Sequence, residues 1–269
     1  MDLYERDDIL MADGMSFDKY IDNPSGGSVY TNRNMYKAMY KSKFDAILVR
    51  EQGKINYTIY KSDDGNDSYY IHFKIPSEAI ENFYYDVVIH LFTTENSKKN
   101  NANLREYSVR FYSNDPAFVY TFAHSFVTNK LFITDLQSKM SRKAIKNEAT
   151  IRNPKNDVWY VKSLFFAYLA MEKYGLFRRS LLNQRGIKYK KSELLRNIVH
   201  ADAKVAARQH EQELLARKRK EKEEAKRAQN VMRNAGKSTN VSSTTKISKV
   251  ANTTRKTNTT KLTPMGKKS

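Results

Sequence analysis

Apolar positions change their spacing twice along the chain, and those changes divide it. Over residues 1–43 no period is sustained: Asn23-Pro24-Ser25-Gly26-Gly27 marks a turn, and a short helix is expected over Asn32–Lys41. From Phe44 to Ser113 short runs with strand character follow. Ala46-Ile47-Leu48-Val49 is the first, closed by Glu51-Gln52-Gly53-Lys54. Ile55, Tyr57 and Ile59 then alternate with Asn56, Thr58 and Tyr60, the period of two that places alternate side chains on one face of a sheet. Ser62-Asp63-Asp64-Gly65-Asn66-Asp67 reads as a turn before Tyr69–Phe73 resumes the pattern, so a hairpin with a long loop is expected, ended at Pro76. Tyr85–Phe92 and Tyr107–Phe111 supply two more strands, joined by the polar loop Asn96–Asn103. Five short strands with brief connections predict an antiparallel sheet or small sandwich.

Asp115-Pro116 changes the period. Asp is a favoured N-cap and Pro a favoured first helical residue, and Phe118, Phe122 and Phe126 follow at four-residue spacing, with Val119 and Ala123 beside them. A second helix, started by Asn153-Pro154 or Asp157, carries Val158, Val161, Leu164, Phe165, Tyr168 and Leu169 and ends at Gly175. These helices are expected to cover the sheet, which makes the fold class α+β. After Gly186 a third region begins. Ser192 caps a helix through Leu194, Leu195 and Ile198, and from Ala201 to about Asn230 nearly every residue is Ala, Arg, Lys, Glu or Gln, all strong helix formers. Large apolar residues there are reduced to Val205, Leu214 and Leu215, so no coiled-coil heptad is sustained. No proline lies between Pro154 and Pro264, and one long basic helix is allowed. From Ala235 onward Ser, Thr, Asn and Lys dominate, the composition of a disordered tail. The expected organisation is an irregular segment over 1–43, an α+β domain over 44–186, a basic helical arm over 187–234 and a disordered basic tail over 235–269.

Charge sharpens this division. The chain of 269 residues carries 48 Lys and Arg against 29 Asp and Glu, a net +19. Residues 201–269 hold 18 of those cations against 6 acids, and residues 235–269 hold 8 cations and no acid. Such an arm concentrates positive potential and draws phosphate backbones or acidic surfaces. There is no cysteine, which excludes disulfides and thiolate metal sites. No apolar run approaches the roughly 18–20 residues that span a bilayer, and Met1–Leu10 is not a basic-then-apolar leader, so no membrane association is expected. The 18 Tyr and the frequent Asn and Lys match the coding bias of an AT-rich genome.

Catalytic chemistry finds no support in the sequence. Gly-x-Ser-x-Gly, Walker and His-Glu-x-x-His motifs are absent, and no two of His72, His90, His124, His200 and His210 stand three or four residues apart. His72 and His90 can meet only across neighbouring strands. Asp63–Asp67 lacks the twelve-residue spacing and closing glutamate of a calcium loop. We therefore expect no catalytic residues, no metal and no cofactor. The aromatic strand positions Tyr57, Tyr60, Tyr69, Tyr70, Phe73, Tyr84 and Tyr85 lack an RNP-type pattern for stacking bases and are assigned to a core or subunit interface.

Phosphate binding is the better supported chemistry, because each cation set against a phosphate releases condensed counterions. The candidate residues fall in three groups. Arg178, Arg179, Arg185, Lys188, Lys190, Lys191 and Arg196 cluster where domain meets arm; Arg217, Lys218, Arg219 and Lys220 follow on the helix; and Lys237, Lys246, Lys249, Arg255, Lys256, Lys261, Lys267 and Lys268 stand on the tail. For residues 204–227 a plain solvated helix is equally compatible, because Glu211, Glu213, Glu221, Glu223 and Glu224 balance part of the charge.

Four segments carry a resemblance: Tyr69–Ile75 with Pro76-Ser77-Glu78, Phe83–Ile89, Arg110–Phe126 and Ile151–Pro154. They resemble tailed-bacteriophage proteins, a family of structural, virion-associated or uncharacterised members, over roughly residues 45–175. The resemblance implies a phage context and transfers no site residue. The expectation is a non-enzymatic structural component of a phage particle, at the capsid interior, neck or connector, present in the host cytoplasm during assembly. It would form homo-oligomers, pack against other virion proteins and contact DNA or acidic neighbours through its arm and tail. The alternative is an intracellular nucleic-acid-binding phage protein acting in replication, packaging or expression.

Overall fold

The computed structural model describes residues 15–22, 33–62, 67–93, 103–153 and 156–238, with Arg33 and residues 234–238 described by backbone alone. The 23–27 turn, the 63–66 loop, most of the 96–103 loop and the tail beyond 238 lie outside the described residues. Two compact units divide at Arg217/Lys218.

In the first unit, helix α1 (Phe17–Asp22) and helix α2 (Arg33–Arg50) precede four antiparallel strands: β1 (Asn56–Lys61), β2 (Ser68–Pro76), β3 (Tyr84–Phe92) and β4 (Ser108–Ser113). Then come α3 (Ala123–Thr128), α4 (Arg142–Lys146), α5 (Lys162–Lys173), α6 (Arg179–Arg185), the short strand β5 (Ile187–Lys188) and α7 (Lys191–Asn197). A final helix, α8, runs from Ala201 to Ser238 and crosses the boundary between the units. The strands make one sheet in the order β4-β3-β2-β1-β5, with β5 parallel to β1. The α+β class is therefore observed as one helix-covered sheet, not a sandwich.

One expected strand is a helix. Ala46–Val49 closes α2, whose residues Tyr36, Tyr40, Phe44 and Ile47 fall at helical spacing; Phe44 and Ile47 are buried, and Val49 is 82% exposed. A four-residue apolar run fits either period, and here the upstream aromatics decide it. The helix stops where Gly53, at φ +76°, bonds its N–H back to the Leu48 carbonyl at 2.6 Å.

Register sorts the sheet into two unlike faces. Ile59, Ile71, Ile89 and Phe111 lie opposite one another on the first, as do Tyr57, Phe73 and Val87. This apolar face packs under α5 and against the rings of Phe17, Tyr20 and Phe126, which meet Phe111 at 5.2, 4.6 and 5.8 Å. The second face carries the rows Tyr60–Tyr70–His90–Arg110, Thr58–His72–Val88–Tyr112 and Asn56–Lys74–Asp86. Alternation predicts a solvent face here, yet Tyr70, His72, Asp86, His90 and Tyr112 are all buried. The 3₁₀ turn Thr134–Lys139 and the segment from Tyr189 to the start of α8 cover them, through bonds such as Tyr112 OH to the Lys139 carbonyl at 3.0 Å and Asn197 Nδ2 to the Tyr60 hydroxyl at 3.0 Å.

The Asp115-Pro116 start is as the sequence predicts. Asp115 Oδ1 accepts from Ala117 N at 3.0 Å, and helix begins at Pro116. Residues Phe118–Phe122 then take π-helical geometry, which shifts the register so that Phe118 and Phe126 are buried and Phe122 only partly. The second helix starts later than Asp157, at Lys162, and ends as expected at Gly175, whose φ is +66°. The junction with the arm also falls later than Gly186. Ile187 and Lys188 pair with Tyr60 and Lys61 in the sheet, and Leu194, Ile198, Ala201 and Val205 are buried. Residues 198–200 interrupt the helix, so α7 and α8 are separate elements.

Candidate polyanion-binding surface and a buried carboxylate cluster

Pairing of β2 with β3 sets Lys74 opposite Asp86, with His72 one pair further along the same face. Asp86 is 1% exposed and accepts four hydrogen bonds. Oδ1 takes them from His72 Nε2 at 2.8 Å and from Lys74 Nζ; Oδ2 takes them from Asn114 Nδ2 at 2.9 Å and from the Val199 backbone N–H at 3.0 Å. Because a carboxylate only accepts, His72 Nε2 carries the proton. Burial opposes the charge on Asp86, but the bonds and charges of His72 and Lys74 outweigh it and hold the carboxyl below its ordinary range. Lys74 also donates to the Asn197 carbonyl at 3.1 Å, and Asn114 Nδ2 to the Val199 carbonyl at 3.2 Å. The break between α7 and α8 thus has its backbone groups satisfied by side chains of the sheet. With its four acceptor sites filled, Asp86 is committed to holding the start of α8. The first turns of that helix lie over Ile80, Phe83 and Tyr85, with Lys204 Nζ 3.9 Å from the Phe83 ring centre and the Arg208 guanidinium 5.6 Å from that of Tyr85. Burial pushes the Lys204 ammonium down, helped by Lys74, against the pull of Asp86.

A second polar group lies on the same face. Tyr70 is sandwiched between His90 and Tyr189, with ring centres 4.0 and 4.3 Å apart and near-parallel planes. Asp135 accepts from the hydroxyls of Tyr70 and Tyr189 at 3.3 and 3.0 Å and from Lys191 Nζ at 2.8 Å. His90 Nε2 stands 2.8 Å from Ser68 Oγ, but Ser68 is 7% and His90 8% exposed, so the pair joins two strands inside the molecule. His72 and His90 share this face diagonally and do not pair directly. The aromatic strand positions divide as follows: Tyr60, Tyr69, Tyr70, Phe73 and Tyr85 are buried, and Tyr57 and Tyr84 are half-buried. A cavity of about 180 Å³ opens beside the π-helical turn, where His124 Nδ1 lies 2.7 Å from the Ile145 carbonyl and Nε2 3.7 Å from Glu148. Among the described residues no three His, Asp or Glu side chains gather as a metal site, and no helix is long and apolar enough to cross a membrane.

The sequence-predicted cations fall into unlike settings. Arg178, Arg179, Arg185, Lys188, Lys190, Lys191 and Arg196 are all exposed around α6, β5 and α7. Internal partners already engage several of them: Arg179 pairs with Asp67, Lys191 with Asp135, and Arg185 donates to the Tyr57 hydroxyl at 3.2 Å. The domain's own acids and phenols therefore already use part of that cluster. Along the end of α8 the balance is different. From Gln212 to Arg233 every side chain of α8 is exposed, including Arg217, Lys218, Arg219 and Lys220. Lys237 lies on the last turn, and Lys246, Lys249, Arg255, Lys256, Lys261, Lys267 and Lys268 are outside the described residues.

The buried cluster is not legible as a site in the sequence, because His72, Lys74, Asp86, Asn114 and Val199 are brought together by register and by chain return. The one signal is that polar residues recur every second position through β2, a face that tertiary cover then closes. Comparison with known protein families, curated proteins and solved structures finds no match to this chain.

Proposed function

We propose that this protein is a non-catalytic, polyanion-binding structural component, with the α+β unit as its folded platform and the end of α8 plus the following tail as its binding element. One observation carries the reading: 22 consecutive residues of α8, 212–233, are helical with every side chain exposed, and they lead into a segment with 7 cations and no acid beyond Ser238. A helix without an apolar face to bury is supported by propensity and by opposite charges four residues apart, and short isolated helices are marginal in water. Its exposed surface can then meet a partner, and a cationic surface selects phosphate or carboxylate. The segment resemblance in residues 45–175 supports a bacteriophage particle as the setting, with packaged DNA as the polyanion and other virion proteins and further copies of the chain as neighbours.

Two measurements test this. The full chain should bind duplex DNA with an affinity that falls steeply with salt, and a chain ending at Arg217 should lose most of that binding. Equal binding by the two chains would refute the assignment to α8 and the tail. Mass spectrometry of purified particles tests the setting, and absence of the protein from them would remove the virion from the reading.

A further inference from the structure

The cations of α8 are not spread evenly around the helix. At 3.6 residues per turn, Lys218, Lys222, Lys226, Gln229 and Arg233 fall within an arc of about 80°, and the stripe runs about 22 Å along the axis. No acid of the same stretch lies in that arc. Glu221, Glu223 and Glu224 point elsewhere around the helix, and Glu211 shares the direction only two turns before Lys218. The remaining cations have acids at the favourable spacing. Arg217 stands four residues before Glu221, Lys220 four before Glu224, and Arg227 four after Glu223. The stripe lysines instead stand four residues from one another, an arrangement that repels. Lys218 and Lys226 each have one glutamate three residues away, and Lys222 has no carboxylate at three or four. All of these side chains are exposed.

We infer that the Lys218–Lys222–Lys226–Arg233 stripe is the nucleic-acid-contacting face of α8, tracking one phosphodiester strand of a duplex. The inference rests on the polyanion reading above and adds the face and the class of partner. Phosphates recur about every 3.4 Å of axis along one strand, but the strand winds around that axis and its phosphates stand roughly twice as far apart along its own path, so a straight stripe of about 22 Å lies alongside about three of them. Each lysine can then meet a phosphate that relieves its repulsion from the next. An acidic protein is the poorer fit. Protein interfaces draw their energy from buried aromatic, aliphatic and Arg anchors, and the stripe presents lysines, a glutamine and one arginine with no apolar side chain among them. Val231 and Met232, the exposed apolar residues nearby, lie outside its arc.

The test compares two triple variants of the full chain that remove the same charge from different faces: Lys218→Gln/Lys222→Gln/Lys226→Gln on the stripe, and Arg217→Gln/Lys220→Gln/Arg227→Gln off it. Gln is a good helix former, so circular dichroism should show α8 retained in both. Binding to a random-sequence duplex of about 30 base pairs is followed by fluorescence anisotropy between about 50 and 200 mM salt. The stripe variant should lower the slope of log affinity against log salt by about 2.7, at about 0.9 for each phosphate no longer neutralised, and the off-stripe variant by less than about 1. Equal reductions would mean that charge count and not the face decides, and unchanged binding in both would place the binding in the tail. Either result overturns the stripe and leaves the polyanion reading standing. A full chain that binds poly-glutamate but not DNA at the same salt overturns the nucleic-acid assignment, and one that binds neither overturns the polyanion reading itself.

Discussion

Replacing Asp86 tests the clamp at the start of α8 most directly. Asp86→Ala removes one acceptor group that satisfies four donors: His72 Nε2, Lys74 Nζ, Asn114 Nδ2 and the Val199 N–H. Lys74 is 38% exposed on its side chain and can turn to water, but His72 and Asn114 are buried and cannot. Removing one partner of a buried charged pair costs about 3–5 kcal/mol. For a domain of this size each kcal/mol lowers Tm by roughly 2–4 °C, so a fall of about 6–20 °C is expected. Asp86→Asn keeps the shape and one acceptor oxygen. That oxygen can serve Asn114 and Val199, while the new amide N–H faces His72 Nε2, which accepts only where that nitrogen carries no proton. A smaller cost, about 2 kcal/mol, is expected from loss of the charge-assisted bonds. The assay is urea unfolding at neutral pH, with amide exchange at Val199 reporting the clamp itself. An Asp86→Ala variant within about 1 kcal/mol of the parent, or Asn costing as much as Ala, would refute the reasoning. The pH dependence gives a further check. A carboxyl whose folded pKa lies below its ordinary 3.8 contributes stability that is complete above that value and lost as pH falls through the folded pKa. The stability gap between the parent and Asp86→Asn should therefore narrow on acidification below about pH 4.

Other expectations follow from the same structure. A Cβ on Gly186 would stand 2.6 Å from the Leu182 carbonyl oxygen and 3.3 Å from Lys61 Cβ, and the backbone oxygen cannot yield, so Gly186→Ala should destabilise by about 1–3 kcal/mol in denaturant unfolding. A chain ending at Arg217 should keep the parent Tm to within a few degrees while losing helical ellipticity, because side chains 218–233 are exposed; a large fall in Tm would show that they support the fold. Burial, with the Asp135 charge, pushes the Tyr70 hydroxyl up to about 12, and burial, with the Asp115 charge, does the same for Tyr85. Groups with raised folded pKa values stabilise the fold below their ordinary value of 10.0 and lose that contribution as pH rises, so stability should fall in the alkaline range and Tyr70→Phe should flatten the fall.

Local chemistry makes much of this fold readable. Period-two patterning locates β1 to β4 to within a few residues, because β2, β3 and β4 each have a face that is largely inside and β1 buries Ile59 and Tyr60. Asp115-Pro116 and Gly175 mark helix ends through capping and positive φ, which depend on the residue itself and not on its neighbours in space. The exposed arm is also legible, since a run of Ala, Arg, Lys, Glu and Gln can be a helix yet has nothing to bury. Ala46–Val49 reads as a strand and folds as a helix, because a four-residue apolar run carries no period of its own.

What tertiary structure alone decided is which polar residues stop being surface. His72, Lys74, Asp86 and His90 stand on the sheet face that carries the polar strand residues, and all but Lys74 are buried because residues 134–139 and 189–205 return over that face. The return joins positions more than a hundred residues apart, such as Lys74 and Asn197, and no local pattern encodes such a contact. The exposed end of α8 is the opposite case. Its cation stripe depends only on spacing along one helix, so the sequence determines it; the structure adds that the helix is continuous there and that its side chains are exposed.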